Sequence, residues 1–243
     1  MHKSDGIVLA VLLAGTLFSI GKKKLTAPAA LTGAVLGWII YAGGGYTGLA
    51  MMTAFFILGT AATSWKKEEK REVRSHAAPE QPRTTGQVIA NAGVAGITGL
   101  LSLLWPAHRL LLLVIMAGSL ASATADTLSS ELGLVYGHRF FHILTGRTEQ
   151  KGLDGVVSIE GLLIGAIAAA SIALIYTLGQ SWDWRIFMII TLSGTLGNLT
   201  DSILGAVFER KGQMSNDTVN FLNTLAAALT AGGLIAMFIP VFG

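Results

Sequence analysis

Apolar runs of about helix length alternate with short polar breaks along the 243 residues. One of the longest, RLLLLVIMAGSLASA (109–123), ends two residues short of an aspartate at position 126. A helix needs about 20 mostly apolar residues to cross a hydrocarbon core roughly 30 Å thick. By that measure the pattern predicts eight spans, at 6–21, 28–44, 46–64, 86–105, 107–132, 156–179, 185–208 and 217–241. The third and fifth carry the strongest apolar signal. The second and seventh carry the weakest. The expected fold is an all-α, polytopic membrane bundle forming one domain over 1–243, with polar loops near 65–85, 133–155 and 209–216.

Composition supports lipid as the solvent. Hydrophobic residues make up 52% of the chain and charged residues only 13%, against about 25% charged in ordinary soluble domains. There is no cysteine, which excludes disulfides, thiolate metal sites and a cysteine nucleophile. The opening MHKSDGIVLAVLLAGTLFSIG lacks a basic leader region and a clear cleavage site, and reads as a retained first span.

Charge adds orientation. Fourteen of the 17 Lys and Arg residues lie in the breaks at 22–24, 65–83, 138–154 and 209–213; the others are Lys3, Arg109 and Arg185. Lys and Arg accumulate on the cytoplasmic side. Both termini are therefore expected outside and the long loops inside, in a prokaryotic cytoplasmic membrane. The net charge of +3 then reflects orientation, with no nucleic-acid partner implied. The mixed-charge stretch WKKEEKREVRSHAAPEQPR (65–83) reads as a solvated connector.

Polar residues inside the spans converge on one level. Asp126 stands nineteen residues into the predicted fifth span, about 28 Å along a helix rising 1.5 Å per residue, near the cytoplasmic edge. Ser122, Asp126 and Ser130 share a face, while Glu131 points away from Asp126. In SGTLGNLTDSILGAVF (193–208), Gly194, Gly197, Asn198, Asp201 and Gly205 form a second stripe. Aligning the two aspartates matches Ser119, Ser122 and Ser130 with Gly194, Gly197 and Gly205. The match is either a parallel internal repeat or chance likeness between helices rich in small residues.

Arg83, Gln87 and Asn91 enter the fourth span on one face; Asn216, Asn220 and Asn223 enter the eighth, with Asp217 alongside. The turn GRTEQKGLDGVVSIEG (146–161) supplies Arg147 and Lys151 ahead of the sixth span, with Asp154 as its expected N-cap. A helix start preceded by glycines and cations suits phosphate. For Asn198 and Asn223 the simpler reading is interhelical hydrogen bonding. For Asp126 and Asp201 an amide would pack at lower desolvation cost, which points to function.

Carboxylates, amides and separate cations at one level suit Mg²⁺ and phosphates. Phosphoryl transfer needs mainly positioning and charge neutralisation. No GxxxxGK[ST] loop is present, which argues against a Walker-type site. The DGxxAR pattern of membrane CDP-alcohol phosphotransferases is also missing. His138 and His142 in HRFFH have no glutamate between them and read as interfacial residues.

Five motifs in order carry a more specific likeness: R-x-x-G-Q-V-x-x-N (83–91), T-A-D-T-L-S-S-E-L-G (124–133), G-x-x-G-x-V-S-x-x-G (152–161), G-T-L-G-N-L-T-D-S-I-L-G-A (194–206) and N-D-x-V-N (216–220). They resemble an integral membrane family, long of unknown function, that includes the plant phytyl-phosphate kinase. The resemblance implies a CTP-dependent kinase that converts a prenyl monophosphate (phytyl, farnesyl or geranylgeranyl) to its diphosphate. By that analogy Asp126, Glu131, Asp201 and Asp217 are the catalytic acids and hold Mg²⁺. Arg83, Gln87, Asn91, Arg147, Lys151, Ser158, Asn216 and Asn220 contact phosphates. The chain departs from the family pattern at Asn198, where a serine is expected, and at Glu160, where an apolar residue is expected; each bears on substrate choice or only on local packing. Two rivals stand beside this reading: an ion-coupled transporter using the intramembrane acids, and a structural subunit docking a partner. A homo-oligomer is compatible with all three.

Overall fold

The computed structural model describes residues 3–73 and 81–239. Residues 74–80 of the expected connector, and 240–241 at the end of the expected eighth span, lie outside the described residues. Eight α-helices are present among them: α1 (Lys3–Gly21), α2 (Ala27–Ser64), α3 (Lys67–Val73), α4 (Thr85–Leu104), α5 (Arg109–Tyr136), α6 (Ile159–Gly179), α7 (Trp184–Val207) and α8 (Asn216–Phe238). A small antiparallel hairpin, β1 (Phe140–His142) with β2 (Val156–Ser158), joins α5 to α6.

The long α2 is two passes. Thr26 caps its start by accepting from the Ala29 N–H at 3.3 Å. At Gly45 the backbone takes φ 64° and ψ −158°, a conformation that glycine adopts without a Cβ penalty. The chain reverses there. Tyr41 and Tyr46 pack across the turn with ring centroids 5.4 Å apart and planes tilted by 59°. A Cβ on Gly48 would lie 2.8 Å from the Ile40 carbonyl, so glycine is also what lets the two halves close. Among the described residues six helices are long and apolar enough to cross a membrane, α2 among them, and the apolar stretch Asp5–Gly21 is shorter. With α2 counted twice and α1 included, the bundle has the eight passes that the hydrophobic pattern predicts.

Contacts sort the loops into two ends. Lys24 Nζ donates to Ser64 Oγ at 2.7 Å, and Arg83 exchanges backbone hydrogen bonds with Lys24 and Thr26. Gly133 meets Gly161, and Gly155 packs on Ala206. These put the end of α1, both ends of α2, the start of α4, the ends of α5 and α7 and the start of α6 together. Gly45 beside Arg109, and Gly179 against Thr47, mark the opposite end.

The central helix is α5, whose residues Leu112–Ala125 are almost all buried. Around it lies a core that includes Met116, Leu120, Ile172, Ile190 and Ile235, each 0% exposed. Close approach comes from small residues. A Cβ on Gly194 would stand 2.7 Å from the Ala121 Cβ, and one on Gly197 would strike the Ser122 side chain. Thus α5 and α7 run parallel in register, with Asp126 and Asp201 at the same level. One matched pair of the two aspartate motifs, Ser122 and Gly197, is itself a contact between the helices, as small-residue packing in lipid requires.

Two local expectations are corrected. The stretch 65–83 is not wholly a solvated connector, since 67–73 form α3 and Lys70 on it is 3% exposed. Lys70 Nζ donates to the Ala62 and Thr63 carbonyls, both at 2.8 Å, and pairs with Glu131 of α5 at 2.5 Å. A charge pair with several hydrogen bonds is what allows the lysine to be buried. Ser158, not Asp154, caps α6, accepting from the Gly161 N–H at 3.1 Å. His138 and His142 lie before and within the hairpin, and His138 Nδ1 is 3.0 Å from Glu160. That contact gives the Glu160 departure a local role.

Two stability tests follow from this packing. Gly197→Val drives a branched side chain into Ser122 and is expected to destabilise by about 1–3 kcal/mol, the range for overpacking. Gly233→Ala, where a Cβ meets nothing within 4 Å, is expected to change stability by no more than about 0.5 kcal/mol. Unfolding in detergent, followed by circular dichroism, measures both. Lys70→Met removes the buried ammonium that pairs with Glu131 and is expected to cost about 3–5 kcal/mol, with most of it recovered in the Lys70→Met/Glu131→Gln double variant. Equal losses in the single and double variants would contradict the ion-pair account.

Candidate functional site

At the end where α4, α6 and α8 begin and α5 and α7 finish, the chain encloses a cavity of about 370 Å³. Three helix starts place capped N-termini at this level. Thr84 and Gln87 form a reciprocal capping box on α4, Ser158 caps α6, and Ser215 caps α8. The hairpin covers one side. Gly155, with φ 74°, presses so closely on Ala206 that no Cβ would fit between them. An ion pair between Glu149 and Arg210 fastens the hairpin to the end of α7, and it holds the Glu149 carboxyl below its ordinary range.

Asp126 and Asp201 reach into this cavity with their carboxylates against each other. Asp201 is held from behind. Asn223 Nδ2 donates to its Oδ1 at 2.7 Å, and Ser122 Oγ donates to Asn223 Oδ1 at 3.0 Å. Asn223 is fully buried, so its expected interhelical role is realised as a clamp on the acid. Asn220 Nδ2 donates to Asn216 Oδ1 at 2.9 Å, and Asn91 Nδ2 to the Gln87 carbonyl at 2.9 Å. Arg83 is the one basic side chain on the cavity wall among the described residues, and its Nη2 donates to Thr63 Oγ1 at 3.1 Å.

Of the expected site residues, Asp126, Asp201, Glu131, Arg83, Gln87, Asn91, Ser158, Asn216 and Asn220 line the cavity. Three do not. Arg147 and Lys151 are exposed on the loop between the hairpin strands. Asp217 faces the start of α4, its carboxylate lying where a Cβ on Gly86 would go, and there it complements the positive end of that helix. The four expected metal-binding acids therefore do not form one cluster: Glu131 on the wall is engaged by Lys70, Asp217 is turned to α4, and Asp126 and Asp201 remain as a pair.

The spacing argument missed two further acids on the wall, Asp154 and Glu209. Both lie in polar breaks where a charge ordinarily signals only solvent. Desolvation raises the Asp154 carboxyl above its ordinary range, against the opposing pull of Arg210. Among the described residues no three His, Cys, Asp or Glu side chains are placed to hold one metal ion. A cation at the Asp126–Asp201 pair would complete its oxygen shell from a ligand and water. Mg²⁺ is commonly bound in that way, through one or two carboxylates and substrate phosphates.

The comparisons with known proteins agree with a membrane bundle. The chain is 33% identical over 208 residues to an uncharacterized membrane protein of Methanocaldococcus jannaschii, covering 84% of this chain and 81% of that one. It is 32% identical over 225 residues to another from Synechocystis sp., covering 90% and 86%. With protein VTE6, chloroplastic, of Arabidopsis thaliana it shares 28% over 216 residues, 86% of this chain and 63% of the plant protein. No solved structure matches. Residues 9–228, which take in all the walls of the cavity and every pass but the start of α1 and the end of α8, match the description integral membrane protein DUF92, and the chain belongs to that family.

Proposed function

We propose that this protein is a CTP-dependent prenyl-phosphate kinase acting at the membrane surface. The observation that carries the proposal is the Asp126–Asp201 pair in a polar cavity at one end of a lipid-embedded bundle. An oxygen of the prenyl monophosphate attacks the γ-phosphorus of CTP. A new P–O–P bond forms, the bond from the γ-phosphorus to its bridging oxygen breaks, and CDP leaves. The acceptor oxygen is already anionic, so no general base is needed, and the task is to overcome repulsion between two phosphates.

The residues divide that task. Asp126 and Asp201 would hold Mg²⁺, which supplies charge neutralisation on the transferring group when bound. Asn223 keeps the Asp201 carboxylate oriented through its 2.7 Å hydrogen bond. Arg83 offers a planar fork to phosphate oxygens, and the amides on α4 and α8 donate around it. A prenyl chain stays in lipid, where each buried CH₂ contributes about 0.8 kcal/mol. The nucleotide and substrate class rest on the likeness to the family that includes the plant phytyl-phosphate kinase. The cavity opens at the end that carries most of the Lys and Arg, which supports a cytoplasmic site. Ion-coupled carriers bind near the bilayer midplane, and a cavity at the helix ends supports the enzyme instead.

Purified protein in detergent, given Mg²⁺, γ-labelled CTP and farnesyl or phytyl monophosphate, is expected to form labelled diphosphate. Asp201→Asn and Asp126→Asn are each expected to lower the rate about 100-fold or more, as loss of a preorganised electrostatic group does. Removing the divalent ion with EDTA is expected to abolish transfer, and added Mg²⁺ to restore it. Folded protein that forms no diphosphate with any nucleoside triphosphate would overturn the proposal.

A further inference from the structure

The walls of the cavity differ in how their amides are used. On the α4 and α8 side, Asn91 and Asn220 donate to partners 2.9 Å away. Across from them, on α7, Asn198 is 2% exposed and its Nδ2 has no hydrogen-bond partner among the described residues. Asn198 is one of the residues that line the cavity. It fits there because α6 carries glycine opposite: a Cβ on Gly165 would come within 2.5 Å of Nδ2. A buried N–H donor without a partner is disfavoured unless something accepts from it. Asn198 precedes Asp201 by three residues, one helical turn deeper and on an adjoining face. Asp201 turns toward α8 and Asn223, whereas Asn198 turns toward α6.

The apolar part of the wall lies on the same side as α6. Leu134 from α5, Phe140 from β1, and Leu153, Val156 and Val157 from the hairpin line the cavity there. A ligand that brings an anionic oxygen to Asn198 therefore finds an apolar surface next to it. The α4 and α8 side, with Arg83, Gln87, Asn216 and Asn220, offers a polar surface instead.

Resting on the kinase reading, we propose that the cavity is divided into two subsites: the lipid monophosphate binds on the α6 and hairpin side, with Asn198 Nδ2 donating to a phosphate oxygen, and the nucleoside triphosphate binds on the α4 and α8 side. Asn198 is then a binding residue for the acceptor, and the departure from serine at this position acts on the lipid phosphate.

The test compares wild type with Asn198→Ala and Asn198→Ser in two measurements: equilibrium binding of radiolabelled farnesyl monophosphate in detergent without nucleotide, and the separate KM values for CTP and farnesyl monophosphate. Asn198→Ala is expected to weaken lipid-phosphate binding, and to raise its KM, at least about tenfold, as loss of a hydrogen bond to a charged group does. Its KM for CTP is expected to stay within twofold of wild type. Asn198→Ser keeps a shorter donor and is expected to fall between, which carries the test if the alanine variant does not fold. Gln87→Ala is expected to show the reverse split. Equal losses for both substrates, or none for the lipid, would overturn the subsite while leaving the kinase reading intact. Lipid-phosphate binding that depends on Asn198 in a protein with no transfer activity would support the subsite and remove the kinase reading. Wild type that binds no farnesyl monophosphate would overturn both.

Discussion

Two carboxylates held against each other where two parallel helices meet are the constraint around which the bundle is organised. Ionisable groups within a membrane domain are costly and are kept only where they face an interior or a cavity. The chain meets that cost with geometry. Gly194 and Gly197 let α7 lie directly on Ala121 and Ser122 of α5, which brings Asp126 and Asp201 to one level. Asn223 then fixes one carboxylate by a hydrogen bond of 2.7 Å, with Ser122 as its own support. A larger residue at either glycine would separate the helices and disperse the acids.

Three other acids at this end have partners of their own. Glu131 is tied to a buried lysine, Glu149 to Arg210, and Asp217 to the positive start of α4. Each of these serves architecture: it anchors α3, fastens the hairpin, or supports a helix end. Asp126 and Asp201 have each other and an amide, and they are the carboxylates that would hold the divalent ion of the proposed reaction. Mixed polar walls with a narrow apolar side fit an amphiphilic substrate better than a bare ion.

Much of this was legible in the chain, for physical reasons that can be named. Apolar runs report membrane passes because lipid leaves backbone groups no alternative to internal hydrogen bonds, and the break expected between 28–44 and 46–64 falls at the reversal inside α2. Asp126, Asp201 and the amide stripes stood out because they interrupt apolar surface at helical spacing. Partners far apart in sequence were invisible. Nothing local distinguishes Lys70 from its exposed neighbours, since its burial depends on Glu131, 61 residues away. The same holds for three-residue strands that exist only by pairing, and for Asp154 and Glu209, which look like ordinary loop acids. Residue type alone also made Glu131 and Asp217 resemble ligands.

The most direct measurement is electron paramagnetic resonance of Mn²⁺, used in place of Mg²⁺, with purified protein and CTP. The account predicts about one tightly bound Mn²⁺ per chain in wild type, lost in Asp126→Asn and in Asp201→Asn but retained in Asp217→Asn. Binding that survives loss of either member of the pair, or that disappears with Asp217, would contradict it.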